Sequence, residues 1–126
     1  SMTEHALIVS EIKELIGKIG DSLGYDHTSE PVFAKGRDDI AVVQRTTENG
    51  SSYGYDTVYV IWKDRHGTMR HHNLIDTKTS KDYLQIKDTP VFEDDALKVT
   101  VTSGGSMSGR GPWEKNVSVE LPEAQS

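Results

Sequence analysis

No cysteine occurs among the 126 residues, which excludes a disulfide framework, a thiolate nucleophile and a thiolate metal site. A chain without thiols suits the cytoplasm, and that is the localisation expected here. No apolar run approaches the roughly 18 residues of a membrane-spanning helix, so no membrane partner is expected. Positive charge is also in deficit. Fourteen Lys and Arg stand against twenty Asp and Glu, a formal charge of −6, which disfavours nucleic acid as a partner because phosphate binding rests on excess Lys and Arg. The chain lacks the P-loop spacing, the dinucleotide fingerprint and the Gly-x-Ser-x-Gly elbow of an activated serine. No internal repeat is visible.

Enough apolar residues are present, 34% of the chain beside 27% charged, to bury one core under a solvated surface. The length is that of one domain, so residues 1–126 are read as a single unit. Ser1-Met2 is read as a tag remnant and residues 122–126 as a frayed tail. From Thr3 to Leu23, the positions Ile8, Ile12, Leu15, Ile16, Ile19 and Leu23 repeat as one face of a helix, with Glu4, Glu11, Lys13, Glu14 and Lys18 mostly opposite. Gly20 and Gly24 supply helix stops. An isolated helix of this length is marginal in water, so its apolar face requires a partner.

That partner is expected to be a sheet. After Tyr25 the chain reads as short strands between turn signals: Pro31–Ala34, Asp39–Thr46, Tyr55–Lys63, Thr68–Ile75, Tyr83–Lys87, Ala96–Thr102 and Glu114–Leu121. Leu97, Val99 and Val101, then Val117, Val119 and Leu121, alternate with polar residues, so the last two strands have one wet face. Val58-Tyr59-Val60-Ile61-Trp62 is apolar on both faces and belongs at the centre, covered by the helix on one side and by a loop or partner on the other. The fold class expected is α+β, an N-terminal amphipathic helix packed on a mainly antiparallel sheet of about six or seven strands.

Two long connections carry aromatic and basic residues among Ser, Gly and Asn: Thr47–Gly54 and Ser103–Gly111. Tyr53, Tyr55, Arg110 and Trp113 lie in or beside them, and rigid aromatic anchors in adaptable polar loops are the composition of binding surfaces. The leading expectation is therefore a non-catalytic binding or regulatory module that contacts a protein or small ligand through these four residues, with no cofactor. Acidic, partly wet sheets also pair through faces or edges, which brings a homodimer within the expectation.

A second reading starts from Asp56 and Asp76-Thr77-Lys78, with Glu11 and Glu14 upstream. Two carboxylates converging from adjacent strands can hold Mg²⁺, and a nearby lysine can steady the attacking water or the developing charge. The order of a helix with Glu, a strand, a strand with Asp and a strand ending in Ile75-Asp76-Thr77-Lys78-Thr79-Ser80 resembles the PD-(D/E)xK nuclease core over Thr3 to Ser80. The resemblance implies a Mg²⁺-dependent phosphodiesterase using Asp56, Asp76 and Lys78. The chain departs from that pattern in having Tyr55 where proline is usual, a polar His71-His72-Asn73 strand, and no amphipathic helix after Lys78. The histidines His66, His71 and His72 share one hairpin, but adjacent His71 and His72 point to opposite faces and cannot share an ion. A third reading is a small-molecule carrier with a pocket between Ile12, Ile16 and the Val58–Trp62 strand.

Overall fold

The structure, a computed structural model, describes residues 5–20, 22–50, 53–78, 81–105, 109–121 and 123–124. Among the described residues, one helix, α1 (Val9–Lys18), precedes eight strands: β1 (Tyr25–Thr28), β2 (Val32–Phe33), β3 (Ile40–Glu48), β4 (Gly54–Lys63), β5 (Met69–Asp76), β6 (Leu84–Glu93), β7 (Ala96–Ser103) and β8 (Trp113–Glu120). All pairings are antiparallel. They form two sheets and not one: a larger sheet in the order β1-β3-β4-β5, with β2 also on β3, and a smaller sheet in the order β6-β7-β8. The expected mainly antiparallel α+β character stands. The single sheet of six or seven strands is corrected to two sheets with eight strands.

The double-sided apolar runs explain the layering. Along β3 and β4, alternate residues serve opposite cores. Ile40, Val42, Val58, Val60 and Trp62 meet Leu84, Leu97, Val99 and Val101 of the smaller sheet. Ala41, Val43, Tyr59 and Ile61 meet Leu7, Ile12 and Ile16 from the helical segment. The second cover on β4 is thus three strands of the same chain, where a loop or partner was expected. Ile12 and Ile16 are 0% and 1% exposed and cluster with Ala41, Val43, Tyr59 and Ile61 at the place proposed for a carrier pocket.

The helix is shorter than its apolar stripe. Its first turn cannot extend back to Thr3, because the Leu7 N–H donates to Asp38 O (2.7 Å) and His5 Nε2 lies 3.0 Å from Arg65 O. Residues 5–8 instead run along the sheet end, and Ile8 is 52% exposed. At the other end Gly20 takes φ +69°, the left-handed turn that ends helices. A Cβ there would meet Arg45 Nη1 at 3.1 Å and Tyr59 Oη at 3.2 Å. Arg45 makes the stop specific: its guanidinium donates to Ile19 O and forks onto Asp26 with two bonds of 2.7 Å. That fork, outweighing the cost of burial, raises the Arg45 pKa above its ordinary value.

Among the described residues no helix is long and apolar enough to cross a membrane. The strand expected at Tyr83–Lys87 runs on to Glu93 through an irregularity between Lys87 and Val91, and β1 lies where no strand was expected.

Candidate functional site

Strand pairing settles where the two long connections emerge. The β3–β4 turn follows the Glu48↔Gly54 pair, and the β7–β8 loop follows the Ser103↔Trp113 pair. The β5–β6 connection, described at residues 77–78 and 81–83, meets both. It is tied to β3 by an ion pair from Lys81 Nζ to Glu48 Oε2 at 3.2 Å, and to β7 by the Ser103 hydroxyl donating to Asp82 O. All three connections therefore share one end of the molecule.

Asp56 fastens this end from inside. Its side chain is fully buried. One carboxylate oxygen accepts from the Thr46 hydroxyl and from Gln44 Nε2 at 3.1 Å, and the other accepts the Asp82 N–H at 2.7 Å. The Asp56 backbone exchanges further bonds with Thr77, donating to Thr77 Oγ1 at 2.8 Å and accepting the Thr77 N–H at 3.0 Å. A carboxylate buried this deeply persists because donors surround it. It holds the connection between the two sheets.

Asp76 does not join it. Asp76 pairs with Thr57, so its side chain belongs to the opposite face of the sheet from that of Asp56. Its Oδ1 accepts the N–H of Lys78 at 2.8 Å, and Lys78 adopts φ +64° in that exposed turn. Metal sharing would require both carboxylates within about 2.0–2.6 Å of one ion. With opposite faces and both Asp56 oxygens taken, Asp56, Asp76 and Lys78 do not fit a Mg²⁺ site. Among the described residues, no group of three or more His, Cys, Asp and Glu side chains could hold a metal ion. Glu14 pairs with Lys18 at 3.1 Å, and Glu11 lies 4.0 Å from Lys63. Thr79 and Ser80 of the nuclease-like motif lie outside the described residues, as do Ser51, Ser52 and Ser106 to Ser108 of the two loops. His71 and His72 are exposed on successive positions of β5.

Arg110 and Trp113 do come together. Arg110 Nη2 donates to Asp82 Oδ2 at 2.6 Å, the arginine side chain 57% exposed and the aspartate 1%. Trp113 opens β8, half-buried against the core between the sheets. With Ile75, Asp76, Thr77, Asp82 and Lys115 they line an open pocket of about 330 Å³. Tyr53 and Tyr55 are not part of its wall. Tyr53 is 42% exposed in the β3–β4 turn, while Tyr55 pairs with Thr47 and belongs to the helix-side face of β4. The four residues expected to act together thus divide into two pairs at the same end.

Asp82, Lys81 and Ser103 were not singled out from the sequence. Their partners lie 21 to 33 residues away along the chain, and no local pattern marks such contacts. A larger hollow of about 520 Å³ lies on the outer side of the smaller sheet. Lys87 is paired there with Glu114 at 2.8 Å and Lys98 with Glu93 at 4.0 Å; Val91 and Val117 are its half-buried apolar side chains, no aromatic stands among them, and no site is assigned to it. No protein-family model, curated protein or solved structure matches the chain.

Proposed function

We propose that the chain is a non-catalytic binding module whose loop-bearing end takes a small ligand or a protein side chain at Arg110 and Trp113. One observation carries the reading: a half-exposed guanidinium held by a buried carboxylate stands beside a half-buried indole around an open pocket. An arginine fixed in this way loses little freedom when it meets a partner, and such preorganisation favours affinity. Trp and Arg are also the residues that most often dominate binding energy. The wall carries Lys115 and Arg110 beside Asp76 and Asp82, the last of them 1% exposed and turned to Arg110; the more exposed cations favour a hydrogen-bond acceptor next to a flat apolar surface. Tyr53 in the β3–β4 turn and Tyr55 at the start of β4 lie at the same end, within reach of a large partner. The lack of cysteine supports placing the module in the cytoplasm.

The test is a library of small aromatic and aliphatic carboxylic acids, followed through backbone amide shifts. Shifts should concentrate at residues 75–77, 82 and 110–115 and disappear in Arg110→Ala/Trp113→Ala, whose circular dichroism should match the parent. Shifts scattered over the molecule, or none with any acid, would dismiss the reading.

A further inference from the structure

Among the described residues five strands end a sheet: β1, the two-residue β2 and β5 in the larger, β6 and β8 in the smaller. An edge strand presents a row of unpaired N–H and C=O groups to any other strand, and folded proteins blunt such edges. β1 has only four residues. β5 is broken by a register slip opposite Val58 and Tyr59, and its Arg70 is tied to Asp64 and Glu123. β6 is interrupted between Lys87 and Val91. Its Pro90 has no N–H to offer, the Pro90 carbonyl accepts the Lys35 N–H, and β2 and β3 lie against it.

β8 has neither the shortness, nor the slip, nor the proline, and among the described residues its one ion pair ties Glu114 to Lys87. Its eight residues pair one to one with Ala96–Ser103, with no slip and no proline. Among the described residues, β7 is its one strand partner. Trp113, Val117 and Val119 are only half-buried along it, so apolar surface reaches the edge.

We propose that β8 pairs antiparallel with β8 of a second copy, joining two three-stranded sheets into one of six strands. A two-fold axis perpendicular to the sheet keeps every side chain on its own face, so a residue opposes only residues on the same face of the partner strand. Centring the axis on Val117 would set Glu114 against Glu120 twice, and like charges directly opposite are destabilising. Centring it on Ser118 would leave Trp113 beyond the ladder. Centring it on Asn116 opposes Trp113 with Val119 twice, Lys115 with Val117 and Glu114 with Ser118. No like charges then face each other, and aromatic against β-branched is a favourable cross-strand pair. The interface follows from that register. It shares Trp113 and Lys115 with the Arg110 pocket but needs no occupant there, and substitutions at Ser118 leave that pocket's wall untouched.

The chain has no cysteine, so a single introduced thiol can form a disulfide only between copies. Under mild oxidation, Asn116→Cys should cross-link to a dimer much faster than Val117→Cys or Ser118→Cys. In sedimentation of the full chain, Ser118→Glu, which puts a second carboxylate opposite Glu114 at two places, should weaken the dimer about tenfold. Ser118→Gln, neutral beside Lys98 of β7, should not weaken it. Ser118 is exposed on the outer face, and circular dichroism of both variants should match the parent. A parent that sediments as a monomer at every concentration, equal cross-linking at the three positions, or a dimer indifferent to Ser118→Glu would each overturn the proposal.

Discussion

Asp56 shows how a single side chain can look catalytic and act as a fastener. A buried carboxylate that accepts from the Thr46 hydroxyl, the Gln44 amide and the Asp82 N–H has no remaining reason to attract a cation. Its removal leaves three donors facing a hole, and a buried donor without an acceptor costs about 1–3 kcal/mol. Asp56→Ala is therefore expected to lower the unfolding free energy by about 3 kcal/mol, since relaxation and entering water recover part of the sum. Urea titration followed by circular dichroism measures it; a loss within about 0.5 kcal/mol, the range of ordinary surface changes, would show that the three bonds contribute little. Trp62 provides a contrast within the same core. Its Nε1 is buried without a hydrogen-bond partner among the described residues, a cost the surrounding apolar contacts of the ring must outweigh.

At the scale of the element, the β4–β5 hairpin depends on Asp64. This residue is buried and organises the turn. Its Oδ1 accepts the N–H groups of His66 and Thr68 at 2.9 Å, and its Oδ2 accepts from Arg70 at 3.0 Å. Burial by itself would push the carboxyl pKa up. The bonds from Thr68, Arg70 and His66 outweigh that, and the net direction is down from the ordinary value. A carboxylate whose pKa falls on folding contributes stability above its unfolded-state pKa, and that contribution is lost as pH drops through the folded-state value. Asp64→Asn, which carries no such charge, should melt below the parent at neutral pH, and the gap should narrow as the solution is acidified. Thermal unfolding across that range measures it; a gap that stays constant or widens in acid would show that the charge on Asp64 is not what holds the turn. The helix teaches a related lesson. Its stop at Gly20 was legible as a glycine, but Arg45 capping Ile19 from the far end of β3 was not.

For the whole molecule, the core between the sheets decides cooperativity. Leu97 of the smaller sheet is fully buried among residues of the larger one, and neither sheet has another cover for that face. Leu97→Ala should cost about 3 kcal/mol, the middle of the usual range for a leucine truncated in a core. Both sheets should still unfold together. Tryptophan fluorescence, reporting Trp62 in the larger sheet and Trp113 in the smaller, should trace the same denaturation curve as far-ultraviolet circular dichroism. Curves that separate would mean that the helix and larger sheet outlive the smaller one. The common end of the three loops arises at this scale too, since it follows from how β5 hands the chain across to β6.

Local period and punctuation in the sequence were sufficient for the buried helix face at Ile12 and Ile16, for seven of the strands, and for the central position of Val58–Trp62. These follow from side-chain geometry along one segment, which needs no knowledge of distant residues. β1 was missed because Tyr25–Thr28 is polar and mostly exposed, and it is a strand only because β3 pairs with it. The division into two sheets, the opposite facing of Asp56 and Asp76, and the meeting of Asp82 with Arg110 belong to the tertiary structure. Each depends on which strands pair and in what register, and a one-residue change of register turns every side chain to the other face. An aspartate beside a strand end looks the same in sequence whether three buried donors or open water await it.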